Sequence, residues 1–330
     1  MKRFLVVCLA ALLAPTVAHA DNLYRVGFGS HRVLESLTVW RDEARDRVVP
    51  IKIYAPVDGN SLLPVVVVSH GAGGSRDGLA FLGRHWASHG YAVVHLQHAG
   101  SDAEVWRGLA TPAAMQAIRR AVENPQSAID RPQDVRFAIN RMLSHPLDVA
   151  GMRITVDPER ITVAGHSFGA FTALAVAGAT FFPPGRGPVN FGDDRVVASI
   201  ALSPPGFRGQ HAESFARVRI PTLHMTGSAD HGVVVSDLEP AERRRVYDLI
   251  AGASKYLVIL DGGDHMVFGG ARRTPKPTDA RHHDLIRAIT TAFLDSTVKG
   301  DRAAALWLRD VLPGLTDGIA LEAHETSARD

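Results

Sequence analysis

Residues 160–179 read RITVAGHSFGAFTALAVAGA, and most of the fold can be built outward from them. Arg160–Ala164 is a short apolar run that suits a strand buried on both faces. Ala170–Ala179 is rich in alanine and suits a helix. Between them lies Gly165-His166-Ser167-Phe168-Gly169, a G-x-S-x-G pattern in the strand-then-helix context that marks a nucleophile elbow. The turn is so sharp that the positions two before and two after the serine must lack side chains. It lifts the Ser167 hydroxyl above the sheet, at the positive end of the following helix. An ordinary glycine-rich turn is the competing reading, and it would require neither flank.

Working outward, Leu37–Trp40 and Val48–Tyr54 read as an opening antiparallel pair. Pro64–Ser69 (PVVVVS), Tyr91–Leu96 (YAVVHL), Val196–Leu202 (VVASIAL), Ile220–Thr226 (IPTLHMT) and Tyr256–Leu260 (YLVIL) join Arg160–Ala164 as strands covered on both faces. Gly78–His89, Arg131–Ser144, Ala170–Ala179, Pro240–Ala251 and His282–Ser296 read as helices. This alternation predicts an α/β fold with one mostly parallel central sheet and helices on both faces. Residues 21–330 contain no linker or repeat and read as one domain. Gly100–Asp130 is long for a connection, and Trp106, Met115, Ile118 and Val122 at helical spacing predict a helical cap over the strand ends, with plain core packing as the alternative. After Arg302–Val311 the periodicity is lost, and residues 312–330 are expected to fray.

The chain has 330 residues, 46% of them hydrophobic, with 36 Lys+Arg against 34 Asp+Glu. That balance leaves no basic surplus for nucleic acid and no charge excess of a disordered chain. Lys2 and Arg3 precede an apolar run from Phe4 to Ala14, and Ala18-His19-Ala20 has the small residues of a cleavage site. Residues 1–20 are therefore expected to be a secretory signal, too short to span a bilayer, removed before Asp21. The two excess positive charges and Cys8, the lone cysteine, leave with it. The mature chain is expected to be exported, periplasmic or secreted, with no disulfide, no stable membrane insertion, and no Cys nucleophile or thiolate metal site.

A serine nucleophile needs a base and an acid, following it in the order Asp or Glu, then His. Asp230 lies in TGSADH (226–231) and His265 in DGGDH (261–265), each just past an expected strand. Strand C-terminal ends are where open α/β sheets place their sites. Asp264 competes as acid and His231 as base, but each directly adjoins the residue it would have to engage, and chain neighbours rarely point at one another. His166 is expected to point away from Ser167, and His282-His283 to be solvated. Among the 16 His no metal-binding spacing occurs, so neither metal nor cofactor is expected.

Acyl transfer also needs donors for a developing oxyanion: the backbone N–H of Phe168, and one from the loop Ser69–Gly74 (SHGAGG), where Ala72 is the candidate. A phosphate-cradling reading of that loop lacks the Lys-Ser/Thr of a P-loop. His98, Trp106, Phe207, Val233 and Met266 fall on loops expected to surround the site. They predict a mostly apolar surface for an acyl chain or small aromatic ester, ordinary packing being the alternative for each. No basic cluster is present to select a carboxylate or phosphate headgroup.

Taken together, SHGAGGSRDGLAFLGRHWASHGYAVVHLQHAGSD, AGHSFGA, TGSADH and DGGDHMVFGG resemble the α/β-hydrolase superfamily over residues 35–310, in particular its platelet-activating-factor acetylhydrolase-like and dienelactone-hydrolase-like exported bacterial members. The resemblance implies Ser167 as nucleophile, Asp230 and His265 as its partners, and Ala72 and Phe168 as oxyanion donors. The chain has Ser where dienelactone hydrolases have Cys, which speaks against lactone opening of that kind. Cutinase-type polyester hydrolases carry an aromatic platform where this chain reads Ser203-Pro204-Pro205-Gly206. The expected activity is therefore hydrolysis of carboxylic esters of a small molecule. An amidase or thioesterase using the same triad, a polyester hydrolase, and a non-catalytic binding protein are the alternatives.

Overall fold

Side chains alternate across a strand, so Val65-Val66-Val67-Val68 sends Val66 and Val68 to one face and Val65 and Val67 to the other. All four are buried, because both faces carry helices. The structure, a computed structural model, describes residues 23–57, 62–182, 187–206, 211–234, 238–270, 272, 274–315 and 319–324. The expected signal at residues 1–20 lies outside these.

Nine strands form the main sheet: β1 (Val33–Asp42), β2 (Arg47–Pro56), β3 (Leu63–Ser69), β4 (Ala92–Leu96), β5 (Val156–His166), β6 (Val196–Leu202), β7 (Thr222–Ala229), β8 (Lys255–Asp264) and β9 (Ile319–His324). Their order is β1-β2-β4-β3-β5-β6-β7-β8-β9. Pairing is parallel from β4 through β8 and antiparallel for β1 with β2, β2 with β4 and β8 with β9. The helices are α1 (Ala80–Ser88), α2 (Thr111–Glu123), α3 (Pro125–Ser144), α4 (Phe168–Val176), α5 (Arg245–Leu249), α6 (His265–Gly269), α7 (Asp279–Val298) and α8 (Arg302–Leu306). Val66, Val68, Ile200 and Val258 pack with Trp86 of α1 and Leu285, Ile289 and Phe293 of α7. Val65, Val67, Ile161 and Val163 pack with Val135 and Ile139 of α3 and Ala173 of α4. Each such buried Val, Leu, Ile or Phe side chain is worth about 1.5–3 kcal/mol relative to exposure.

Three expectations are corrected here. Residues 312–330 do not simply fray, since Ile319–His324 pairs along β8 as an edge strand, from Leu260↔Ile319 to Lys255↔His324. Ile319 and Leu321 rest on the core while Glu322 pairs with Arg244, a period of two too short to stand out in sequence. Helix α3 begins at Pro125, six residues before Arg131, because Asn124 caps it by accepting from Gln126 N–H at 3.0 Å. His282 is buried and bonds the Asp261 carbonyl, while half-buried His283 stacks on Phe81, so the pair is not solvated. No helix among the described residues is long and apolar enough to cross a membrane.

Several histidines are core residues. His85 meets no hydrogen-bond partner at either ring nitrogen among the described residues. Burial takes the imidazoles of His85, His95 and His224 down to about 3 and that of His98 to about 4, from the ordinary 6.5. An unfolded chain binds these protons from about pH 6.5, whereas the native state refuses them until pH 3–4. Stability is therefore complete above pH 6.5 and is lost as pH falls, by about 1.4 kcal/mol per pH unit for each such histidine. The urea midpoint should drop steeply between pH 6.5 and pH 5, and a midpoint that stays flat across that range would contradict the burial of neutral imidazoles.

Candidate active site

Ser167 sits between the end of β5 and the start of α4 with φ 56° and ψ −117°, a conformation that costs a non-glycine residue about 1–3 kcal/mol. The glycines of the motif make it possible. A Cβ on Gly169 would lie 1.9 Å from the Ser69 carbonyl oxygen, and one on Gly165 would lie 2.1 Å from the Gly169 carbonyl oxygen. The strained turn leaves the hydroxyl facing the mouth of an apolar cavity.

His265 opens α6, where Asp264 caps the helix by accepting from Met266 and Val267 N–H. The ring reaches Ser167 Oγ with Nε2 at 3.0 Å and Asp230 Oδ1 with Nδ1 at 3.1 Å. Asp230, just past β7, is fully buried. It accepts from Thr226 Oγ1 at 2.9 Å and Ser203 Oγ at 3.0 Å, and Arg243 Nε lies 2.7 Å from its Oδ1. Asp264 faces the other way, onto Arg272 and Lys276; burial pushes its carboxyl up, but these two cations outweigh that and hold it at about 2. His231 is exposed beside Glu239, and His166 donates to the His265 carbonyl at 2.9 Å.

Beneath the loop after β3 lies a buried polar network. Arg131 donates to Thr172, Ser101, Ser69 and the His70 carbonyl, and its guanidinium lies 4.5 Å from the centre of the Phe168 ring. The His70 ring accepts from His98 N–H and bonds the Gly71 carbonyl, so it ties the loop to the end of β4. Gly73 and Gly74 spend their N–H groups on Ser101 and Gly71 carbonyls. Those of Ala72 and Phe168 meet no protein acceptor among the described residues, and both residues border the cavity that holds Ser167 and His265.

Two connected apolar hollows flank Ser167. One, about 270 Å³, is lined by Val122, Phe168, Phe171, Pro205, Val233 and Leu238. The other, about 360 Å³, is lined by Leu79, Trp106, Met115, Ile118, Val234 and Met266. Helix α2 thus roofs the site from within the Gly100–Asp130 segment. Its approach is pinned by Trp106 Nε1, which donates to the Gly73 carbonyl at 2.7 Å.

Of the expected substrate contacts, Trp106, Val233 and Met266 lie on these walls. His98 is a correction: it is fully buried under the loop, with Nε2 2.9 Å from Ser69 Oγ and Nδ1 3.0 Å from Asp134 Oδ2. Strand-end position alone does not say whether a side chain turns up to the site or down into the core. Phe207 lies outside the described residues. Ser203, Arg243, Arg131 and Phe171 were missed; no motif marks them, although an arginine near a predicted triad is a signal that could have drawn attention to Arg243. No group of three or more potential metal ligands occurs among the described residues.

A mostly parallel sheet with this elbow, and with the two partners of the serine at neighbouring strand ends, defines an α/β-hydrolase fold. The family model described as platelet-activating factor acetylhydrolase, isoform II, matches residues 41–116. Cutinase 2 of Thermobifida cellulosilytica is 23% identical over 277 residues, covering 83% of this chain and 81% of its own, and cutinase cut1 of Thermobifida fusca is likewise 23% identical, with 67% of its length covered. The platelet-activating factor acetylhydrolase of Cavia porcellus is 25% identical over 149 residues, which cover 38% of this chain and 34% of that one. The chain thus has the α/β-hydrolase fold and is similar in sequence to these cutinases and to this platelet-activating factor acetylhydrolase.

Proposed function

We propose that Ser167, His265 and Asp230 form the catalytic triad of a small-molecule esterase, working through an acyl-enzyme. The observation that carries this reading is His265 bridging Ser167 and Asp230 at 3.0 and 3.1 Å. Ser167 Oγ attacks the acyl carbon as its proton passes to His265 Nε2, and Asp230 orients the ring and stabilises the imidazolium. Ala72 and Phe168 N–H groups receive the oxyanion. His265 then protonates the leaving alkoxide, and a water activated by the same nitrogen releases the acid. No cofactor takes part.

The substrate is an uncharged ester with a short-to-medium acyl or small aromatic group. The cavity walls support this: among the described residues their one arginine, Arg243, spends its guanidinium on the Asp230 carboxylate and on the backbone carbonyls of Asp230, Ser203, Pro204 and His231. That leaves it poorly placed to hold a charged headgroup. The enzyme acts as a single exported domain spanning residues 21–330.

A fluorophosphonate probe should label Ser167, and a p-nitrophenyl ester series should then size the site. Each methylene that enters the apolar wall is expected to raise kcat/KM about fourfold, from about 0.8 kcal/mol per buried CH₂. Absence of an adduct on Ser167 would refute the nucleophile, and equal rates on acetate and butyrate esters would refute the apolar acyl site. Matched ester, thioester and anilide substrates separate the esterase from the thioesterase and amidase alternatives.

A further inference from the structure

Ser203, directly after β6, is fully buried and holds φ at 49°, a region that disfavours any residue with a Cβ. Its N–H bonds the Met225 carbonyl at 2.6 Å and its own carbonyl accepts from Arg243, so the strained backbone is fixed at both ends. Its Oγ lies 2.6 Å from His265 Nδ1 and 3.0 Å from Asp230 Oδ1. The direct contact of Asp230 with His265, at 3.1 Å, is longer than the first of these.

A hydroxyl has one hydrogen, and a carboxylate only accepts. The Ser203 hydrogen therefore goes to Asp230, and an oxygen lone pair faces Nδ1. Nδ1 must then carry the ring hydrogen, which leaves Nε2 bare towards Ser167, the tautomer a general base requires. Other polar groups around His265 leave Nδ1 alone: His166 bonds its backbone carbonyl, and Asp264 is turned to Arg272 and Lys276. Were backbone shape the only demand at position 203, glycine would satisfy it without strain. Serine adds an oxygen at the back of the imidazole.

The geometry points to Ser203 as a positioning residue for ester hydrolysis, its hydroxyl holding His265 in the reactive tautomer together with Asp230. This rests on the serine-esterase reading above. The test measures kcat and KM for Ser203→Ala and Ser203→Gly, each alone and combined with Asp230→Asn, with melting temperature as the check on folding and fluorophosphonate labelling of Ser167 in the wild-type protein as the check on the esterase reading.

Each single variant should lower kcat about 10- to 100-fold with KM within about twofold, the two alike because both lack the hydroxyl while glycine tolerates the backbone. In the Asp230→Asn background the further loss should shrink to less than about twofold, since ring control is already gone. The proposal is overturned if both variants keep wild-type kcat, if glycine restores what alanine loses, or if the loss multiplies in full on Asp230→Asn. Failure of the esterase reading looks different: the wild-type protein itself would take no label at Ser167 and cleave no ester, and the proposal would fall with it.

Discussion

Ser167→Ala should lower kcat/KM by roughly 10⁶-fold, the scale at which removing a triad serine costs about as much as removing the whole triad. The variant should still fold. Alanine meets the same unfavourable φ as serine, and the Ser167 hydroxyl bonds only His265 Nε2 among the described residues. A melting temperature near that of the wild type, with any remaining hydrolysis unlabelled by fluorophosphonate, would complete the expected picture. Activity within tenfold of wild type in a purified variant would remove Ser167 from the mechanism.

Asp230→Asn should cost about 10⁴-fold in kcat, because an amide can present N–H to Nδ1 and favour the wrong imidazole tautomer. It also takes a carboxylate away from the buried Arg243 guanidinium, so a loss of stability should accompany the loss of rate. Asp264→Asn is the matched control. Asp264 caps α6 and pairs with Arg272 and Lys276, and asparagine is a good helix cap, so kcat should stay within about tenfold. If Asp264→Asn abolishes activity and Asp230→Asn spares it, the acid has to be reassigned.

These two carboxylates show what a sequence discloses about such a site. Order along the chain, strand ends and the adjacency of Asp264 to His265 were enough to favour Asp230, and the structure brings Asp230 to the ring. Gly165 and Gly169 were legible for a local reason, since the elbow admits no Cβ at either position. The six strands expected to be buried were legible because both faces of the sheet are covered and the runs are uniformly apolar.

What escaped depends on distant contacts. Ser203 looks like one more serine before a Pro-Pro pair, and its importance comes from a positive φ and from β7 and β8 lying alongside. In the sequence Arg131 is only the first residue of an expected helix, yet it is fully buried because Ser69, His70, Ser101 and Thr172 supply its hydrogen-bond acceptors from three other segments. His98 was drawn to the site by its place at a strand end and was taken instead by Asp134 beneath it.

The partners of Arg131 have an electrical consequence. Its hydrogen bonds all end on neutral oxygens, and burial is the main reason its guanidinium is drawn down to about 9, with Asp134 and Asp102 acting on it only through space. A carboxylate in direct contact would have cancelled most of its charge locally. Here the charge stays fixed under the loop bearing Ala72 and against the Phe168 ring, where little water can screen it. Arg131 of α3 therefore places a fixed positive charge beneath the loop and the Phe168 ring before any substrate arrives, partly offset by the Asp134 and Asp102 carboxylates nearby.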